Sequence, residues 1–99
     1  MLIVTGTIEL AEDSVAAALA AAEIVMAETQ KEDGCQIYEF SQVVGAPTRF
    51  RIYEEWDNEE ALRAHFGMPH MAVFQKALSG LTILSRELYT VQNGVRAPL

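Results

Sequence analysis

Apolar and polar positions change their period several times along this chain, and each change marks a new element. Leu2 to Ile8 is a β-rich run in which Leu2, Val4 and Ile8 alternate with Ile3, Thr5 and Thr7, predicting a first strand. Glu12-Asp13-Ser14 then offers acidic and capping residues ahead of Val15 to Glu28, where alanine dominates and no breaker intervenes. That composition predicts a helix. Gln30 to Gly34 ends it, with Gly34 suited to left-handed backbone. Cys35 to Val43 reads as a second strand, Gly45-Ala46-Pro47 as a turn, and Arg49 to Trp56 as a third strand, so the two strands should form a hairpin. Asp57 is expected to cap a short helix, with Glu60 returning the bond in a capping box. This helix should stop near Gly67-Met68-Pro69. Helical spacing resumes from His70 to Leu78 through Met71, Phe74 and Leu78; Gly80 ends it, and Ile83 to Val91 supplies a fourth strand.

The order βαββαβ is that of an α+β, ferredoxin-like sandwich, with four antiparallel strands carrying the helices on one face. On the fourth strand Ile83, Tyr89 and Val91 are expected to share one phase, and Leu84 and Leu88 the other. Neither sheet face is cleanly polar, which suits a sheet covered on both sides. Helices cover one face, and the sheet of a second copy is the simplest cover for the other. The whole chain, residues 1–99, reads as one domain with a core over about 1–91 and a tail over 92–99 that shows turn chemistry.

Ninety-nine residues leave a modest interior, yet 51% of them are apolar, so self-association into a homodimer is expected. The net charge of −7 and the absence of a basic stripe argue against a nucleic-acid partner and against docking on anionic membranes. Cys35 is the single cysteine, so neither an intrachain disulfide nor a thiolate metal cluster can form. The N-terminus lacks a signal-peptide pattern, and the apolar Val15–Ala27 stretch, interrupted by Glu23, is too short to span a bilayer. A cytoplasmic protein is the expectation.

Candidate chemistry gathers at the corner from Tyr53 to Phe66. Glu54 and Trp56 are two apart on a strand and point to one face. Leu62, His65 and Phe66 recur at helical spacing, which turns His65 toward the apolar side. His65 is the candidate base, because an imidazole exchanges protons near neutral pH; the competing reading is a core histidine. Glu54 could orient His65 or take a proton itself, whereas many strand carboxylates are merely solvated. Tyr38 shares its strand phase with Phe40 and could bind a substrate oxygen, or simply pack. Trp56 and Phe66 could wall a flat ligand, although aromatics fill small cores without one. His70, just past Pro69, reads as a rim residue that could touch ligand. Its spacing from His65 across a proline does not give the geometry of paired helical metal ligands, and there is no third His or Cys cluster, so no metal is expected. Arg51 lies in the opposite strand phase from Glu54, and Cys35 reads as an inert thiol.

These residues resemble a known family. Gly34-Cys35-Gln36-Ile37-Tyr38 at the entry to the second strand, and Glu54-x-Trp56 followed by Leu62-x-x-His65, are similar to the antibiotic biosynthesis monooxygenase (ABM) family, in particular its small quinol-monooxygenase-like members. The resemblance runs from Met1 to Val91. It implies a dimeric α+β barrel of two face-to-face sheets, and a monooxygenase that uses dioxygen with no cofactor on a small hydroquinone-like or polyketide-type aromatic or enolic substrate. It also leaves open a non-enzymatic small-molecule-binding barrel and an acid/base isomerase. The candidate site read from the residues has His65 and Glu54 as catalytic residues and Tyr38, Trp56, Phe66 and His70 around the substrate. The haem-degrading branch fits poorly, since Gly6 and Thr7 stand in the first strand where a polar amide would be wanted, and Trp56 closes a strand.

Overall fold

A computed structural model describes residues 1–99. Its elements are β1 (Leu2–Leu10), a 3-10 turn (Glu12–Ser14), α1 (Val15–Thr29), β2 (Cys35–Val43), β3 (Ala46–Trp56), α2 (Glu59–Phe66), α3 (Pro69–Ser79) and β4 (Ile83–Val91). The strands form one antiparallel sheet in the order β2-β3-β1-β4, the ferredoxin-like arrangement. Register places Val4 beside Glu54 on one side and Thr90 on the other, and Glu54 beside Tyr38. Leu2, Val4, Ile8 and Leu10 therefore share a face with Phe50, Ile52, Glu54 and Trp56, and this is the face the helices cover. Its core joins Leu2, Tyr38 and Trp56 to Val25 of α1, Leu62 of α2 and Met71 of α3; a second cluster joins Leu10 and Phe50 to Ala18. No helix is long and apolar enough to cross a membrane.

Gly6 sits at the centre of the sheet because nothing larger fits. A Cβ there would lie 1.9 Å from the backbone oxygen of Glu87 on β4. Gly34 adopts the left-handed backbone (φ 83°) expected of it, in the connection between α1 and β2.

Several local expectations are corrected. The hairpin turns at Val44 and Gly45 (φ 80°), and Ala46 and Pro47 already belong to β3. Asp57 does not cap α2. Its N–H donates to Gly34 O and its carboxylate accepts from Gln36 Nε2, so it is held against the entry to β2. Asn58 caps instead: its extended backbone lets Oδ1 accept the Ala61 N–H at 2.9 Å. Ser14 makes no capping bond to α1; its hydroxyl accepts the Thr82 N–H and ties the start of the helix to the approach to β4.

The expected shared phase of Ile83, Tyr89 and Val91 is broken by an irregularity at Glu9/Leu10, where Leu10 pairs with Ile83 while Glu9 pairs with Ser85. Ile83 joins the Leu10 cluster on the helical side, whereas Tyr89 and Val91 face away. The face without helices is more polar than the alternation suggested. Ile3, Thr5 and Thr7 lie there beside Glu55, Tyr53 and Arg51. The tail reverses at Asn93 (φ 57°), so that Gly94 exchanges two backbone hydrogen bonds with Met1, and Arg96 pairs with Glu55.

Candidate functional site

Between the sheet and the helices lies a cleft of about 290 Å³, walled mostly by apolar side chains such as Val4, Ile8, Phe50, Met71 and Phe74. α1 packs against β2 and α3, and α2 against β3, while Leu88 of β4 lines the cleft and remains 42% exposed, so the cleft opens beside β4. Polar groups enter it at few points, among them Glu54, His65 and Tyr38.

His65 occupies the last turn of α2 and is 1% exposed. Trp56, Tyr38 and Phe66 surround its ring at centroid distances of 4.8, 5.3 and 5.7 Å. Its Nδ1 lies 2.7 Å from Glu32 Oε2. Glu32 is the residue that sequence reasoning missed. It sits in the turn after α1, held by Glu32 N–H donating to Thr29 O and Cys35 N–H donating to Glu32 O, and its side chain is only 5% exposed. In sequence, Lys31-Glu32-Asp33 resembles a solvated charge run, with no period to mark one member as buried.

The same carboxylate oxygen also meets His70 Nε2 at 2.7 Å. Pro69 starts α3 directly after the corner from α2, and this brings both imidazoles onto one acceptor although they belong to different helices. His70 was expected at the rim, touching ligand. Its side chain is 16% exposed, turned inward to Glu32, and does not line the cleft.

Glu54 does not orient His65, contrary to expectation; Glu32 occupies the His65 Nδ1. The hydrogen bond that Glu54 makes is from Trp56 Nε1 to its Oε1 at 2.9 Å, as their shared strand face allows. Burial pushes the Glu54 carboxyl up from 4.5 to about 7, with the indole bond opposing and the charge of Glu32 adding. Burial first, and then the charge of Glu54, hold the Tyr38 hydroxyl above the usual phenol range, so it remains a neutral donor. Trp56 is fully buried and does not line the cleft; it supports Glu54 and the His65 ring from behind. Phe66 does line the cleft, as do Phe40 and Phe74, stacked at 5.8 Å. Burial also pushes the Cys35 thiol up to about 11, which keeps it protonated and unreactive.

The arrangement can move protons. In the neutral ring, a proton on Nδ1 donated to Glu32 leaves the lone pair of His65 on Nε2. Glu54 changes protonation near neutrality, and Tyr38 offers an O–H, all within an apolar cleft.

Comparison with known proteins agrees with this frame. The antibiotic biosynthesis monooxygenase family pattern matches residues 1–77. A Deinococcus radiodurans protein, titled a candidate antibiotic biosynthesis monooxygenase, superposes with a TM-score of 0.90 at 26% identity, covering 100% of this chain and 98% of that one. A Bacteroides thetaiotaomicron protein of unknown function superposes at 0.82 with 26% identity over 91% of this chain and 94% of its own. A Nitrosomonas europaea protein at 18% identity (TM-score 0.87, 94% of this chain and 98% of that one) shares the fold. The uncharacterised Bacillus subtilis protein YjcS is 35% identical over 49 residues, which are 50% of this chain and 47% of that protein, so the match spans about half of each. The pattern covers most of the chain, through the element that carries Glu32, the strand that carries Glu54 and the helices that carry both histidines, and the chain belongs to the antibiotic biosynthesis monooxygenase family.

Proposed function

We propose that this protein is a cofactor-independent monooxygenase acting on a small hydroquinone-like or polyketide-type aromatic. The observation that carries this reading is His65, fixed through Nδ1 by a buried carboxylate and lining an apolar cleft. His65 Nε2 takes the phenolic proton, and the electron-rich anion reacts directly with dioxygen. For a hydroquinone, one oxygen atom enters at a ring C–H, the ring leaves as a hydroxyquinone, and the second oxygen leaves as water. The substrate supplies all the electrons, so no external reductant is needed. Tyr38 donates to a substrate oxygen, and Glu54 exchanges a proton at the same face. Phe66, Phe40 and Phe74 hold the flat ring. The cleft volume of about 290 Å³ suits a ligand of one or two rings.

Two copies complete the reading as a dimeric barrel joined through the faces without helices, where Tyr89 and Val91 are 50% and 40% exposed. An isomerase would use the same base without oxygen. Oxygen uptake with a panel of hydroquinones separates the two. His65→Ala should lower turnover by about 10²–10⁴, the usual contribution of a positioned base, with thermal stability measured on the same sample. Full activity in His65→Ala, or loss only through unfolding, would return His65 to a structural role.

A further inference from the structure

Glu32, His65 and His70 come from a turn and two helices, yet their donor atoms lie within 4.8 Å of one another. Both imidazole nitrogens point at a single oxygen, 2.7 Å from each. Two histidines and one carboxylate form a donor set that transition metals favour, whereas calcium and magnesium prefer oxygen alone. Metal–nitrogen and metal–oxygen bonds near 2.1 Å would place each nitrogen roughly 3.0 Å from the oxygen at right-angle coordination and roughly 3.4 Å in a tetrahedron. Each nitrogen thus needs to draw away from the oxygen by a few tenths of an ångström, up to roughly 0.7 Å, and the two nitrogens to settle roughly 3.0–3.4 Å from each other, as an ion replaces the bridging protons. His70, partly exposed at the start of α3, provides the freedom to move and the path of entry. Three protein ligands leave a position for water on that open side.

We infer that Glu32, His65 and His70 form a binding site for one divalent transition-metal ion, and that occupation switches off His65 as a base. Without metal, His65 carries its proton on Nδ1, facing Glu32, and its lone pair on Nε2. A metal takes the Nδ1 lone pair. A neutral ring must then keep its proton on Nε2, where it can donate but cannot accept. The net proton count of His65 is unchanged; one proton moves from Nδ1 to Nε2 through solvent. The catalytic meaning of the switch rests on the base role proposed above, while metal binding and the tautomer change do not.

Cobalt(II) titration tests the site, because His65 and His70 are the chain's only histidines. One equivalent should develop visible d–d bands, which zinc should displace. Glu32→Gln and His70→Gln should each abolish the bands; His70→Gln, at the edge of the cluster, is the variant that tests the site without emptying the core. Imidazole ¹⁵N spectra should show the His65 proton on Nδ1 in metal-free protein and on Nε2 with zinc. No one-equivalent cobalt signal, a signal that survives His70→Gln, or thiolate charge-transfer bands marking Cys35 as the ligand would overturn the site. An Nδ1 proton retained with zinc bound would overturn the switch. Neither readout uses turnover, so an inactive preparation would count against the proposed function and leave this inference to stand or fall separately.

Discussion

Replacing Glu54 by glutamine should make the protein more stable at alkaline pH and leave it nearly unchanged in acid. Glutamine keeps the shape of Glu54 and an oxygen to accept the Trp56 Nε1–H bond, but it has no charge to bury. In the native protein burial raises the carboxyl from 4.5 to about 7. Below about pH 4.5 Glu54 is protonated in both folded and unfolded chains, so it contributes no pH dependence there. Between those values the folded chain holds a proton that the unfolded chain has released, and stability falls as pH rises. Above about pH 7 the whole penalty is present. At about 1.4 kcal/mol per pH unit it amounts to about 3 kcal/mol. For a chain of this size that corresponds to a melting-temperature difference on the order of 10 °C. Thermal unfolding of both proteins from about pH 4 to about pH 8 measures it. A gap that opens across the window supports a buried acid whose ionisation the fold resists. A gap that stays constant with pH would refute the reasoning and place Glu54 in a solvated environment.

Gly6→Ala should destabilise the chain by about 3 kcal/mol or more, because its methyl group would meet the β4 backbone at 1.9 Å; denaturant unfolding would show it. Asn58→Ala should cost about 1 kcal/mol by removing the cap on α2, and amide exchange should rise first in the turn it holds. Ile3 lies on the face without helices, whereas Val4 lines the cleft. Ile3→Asp should therefore turn a dimer into monomers by light scattering, and a wild-type protein already monomeric at micromolar concentration would remove the proposed interface.

Periodicity determines much of this protein without any coordinates. A period of two places Glu54 and Trp56 on one face, and their hydrogen bond follows directly. A period of 3.6 turns His65 inward beside Leu62, and both are buried. The alternation of strand-like and helix-like stretches gives the βαββαβ order and hence the sheet. Local bonding chemistry is legible only in part. Asp57 and Asn58 both have capping side chains, and the choice between them falls to Gly34 and Gln36, which hold Asp57 against the entry to β2. The phase of β4 changes at Leu84, an extra residue opposite the Glu9–Leu10 step of β1, and the bulge shows only once the two strands pair.

Tertiary structure alone decides the partner of His65. Glu32 lies 33 positions before His65 and 38 before His70, in a turn whose charges read as solvated. A side chain in an irregular turn has no repeat to state which way it faces; packing of the α2–α3 corner against the end of α1 turns it inward. Glu54 is displaced for the same reason. The two-residue period of β3 gives it Trp56, and His65 Nδ1 is taken by a carboxylate from elsewhere in the chain. Sequence thus specifies the faces, because they follow from bonds between near neighbours, while the hydrogen-bond partner of His65 is set by contacts between distant residues that exist only once the faces have packed.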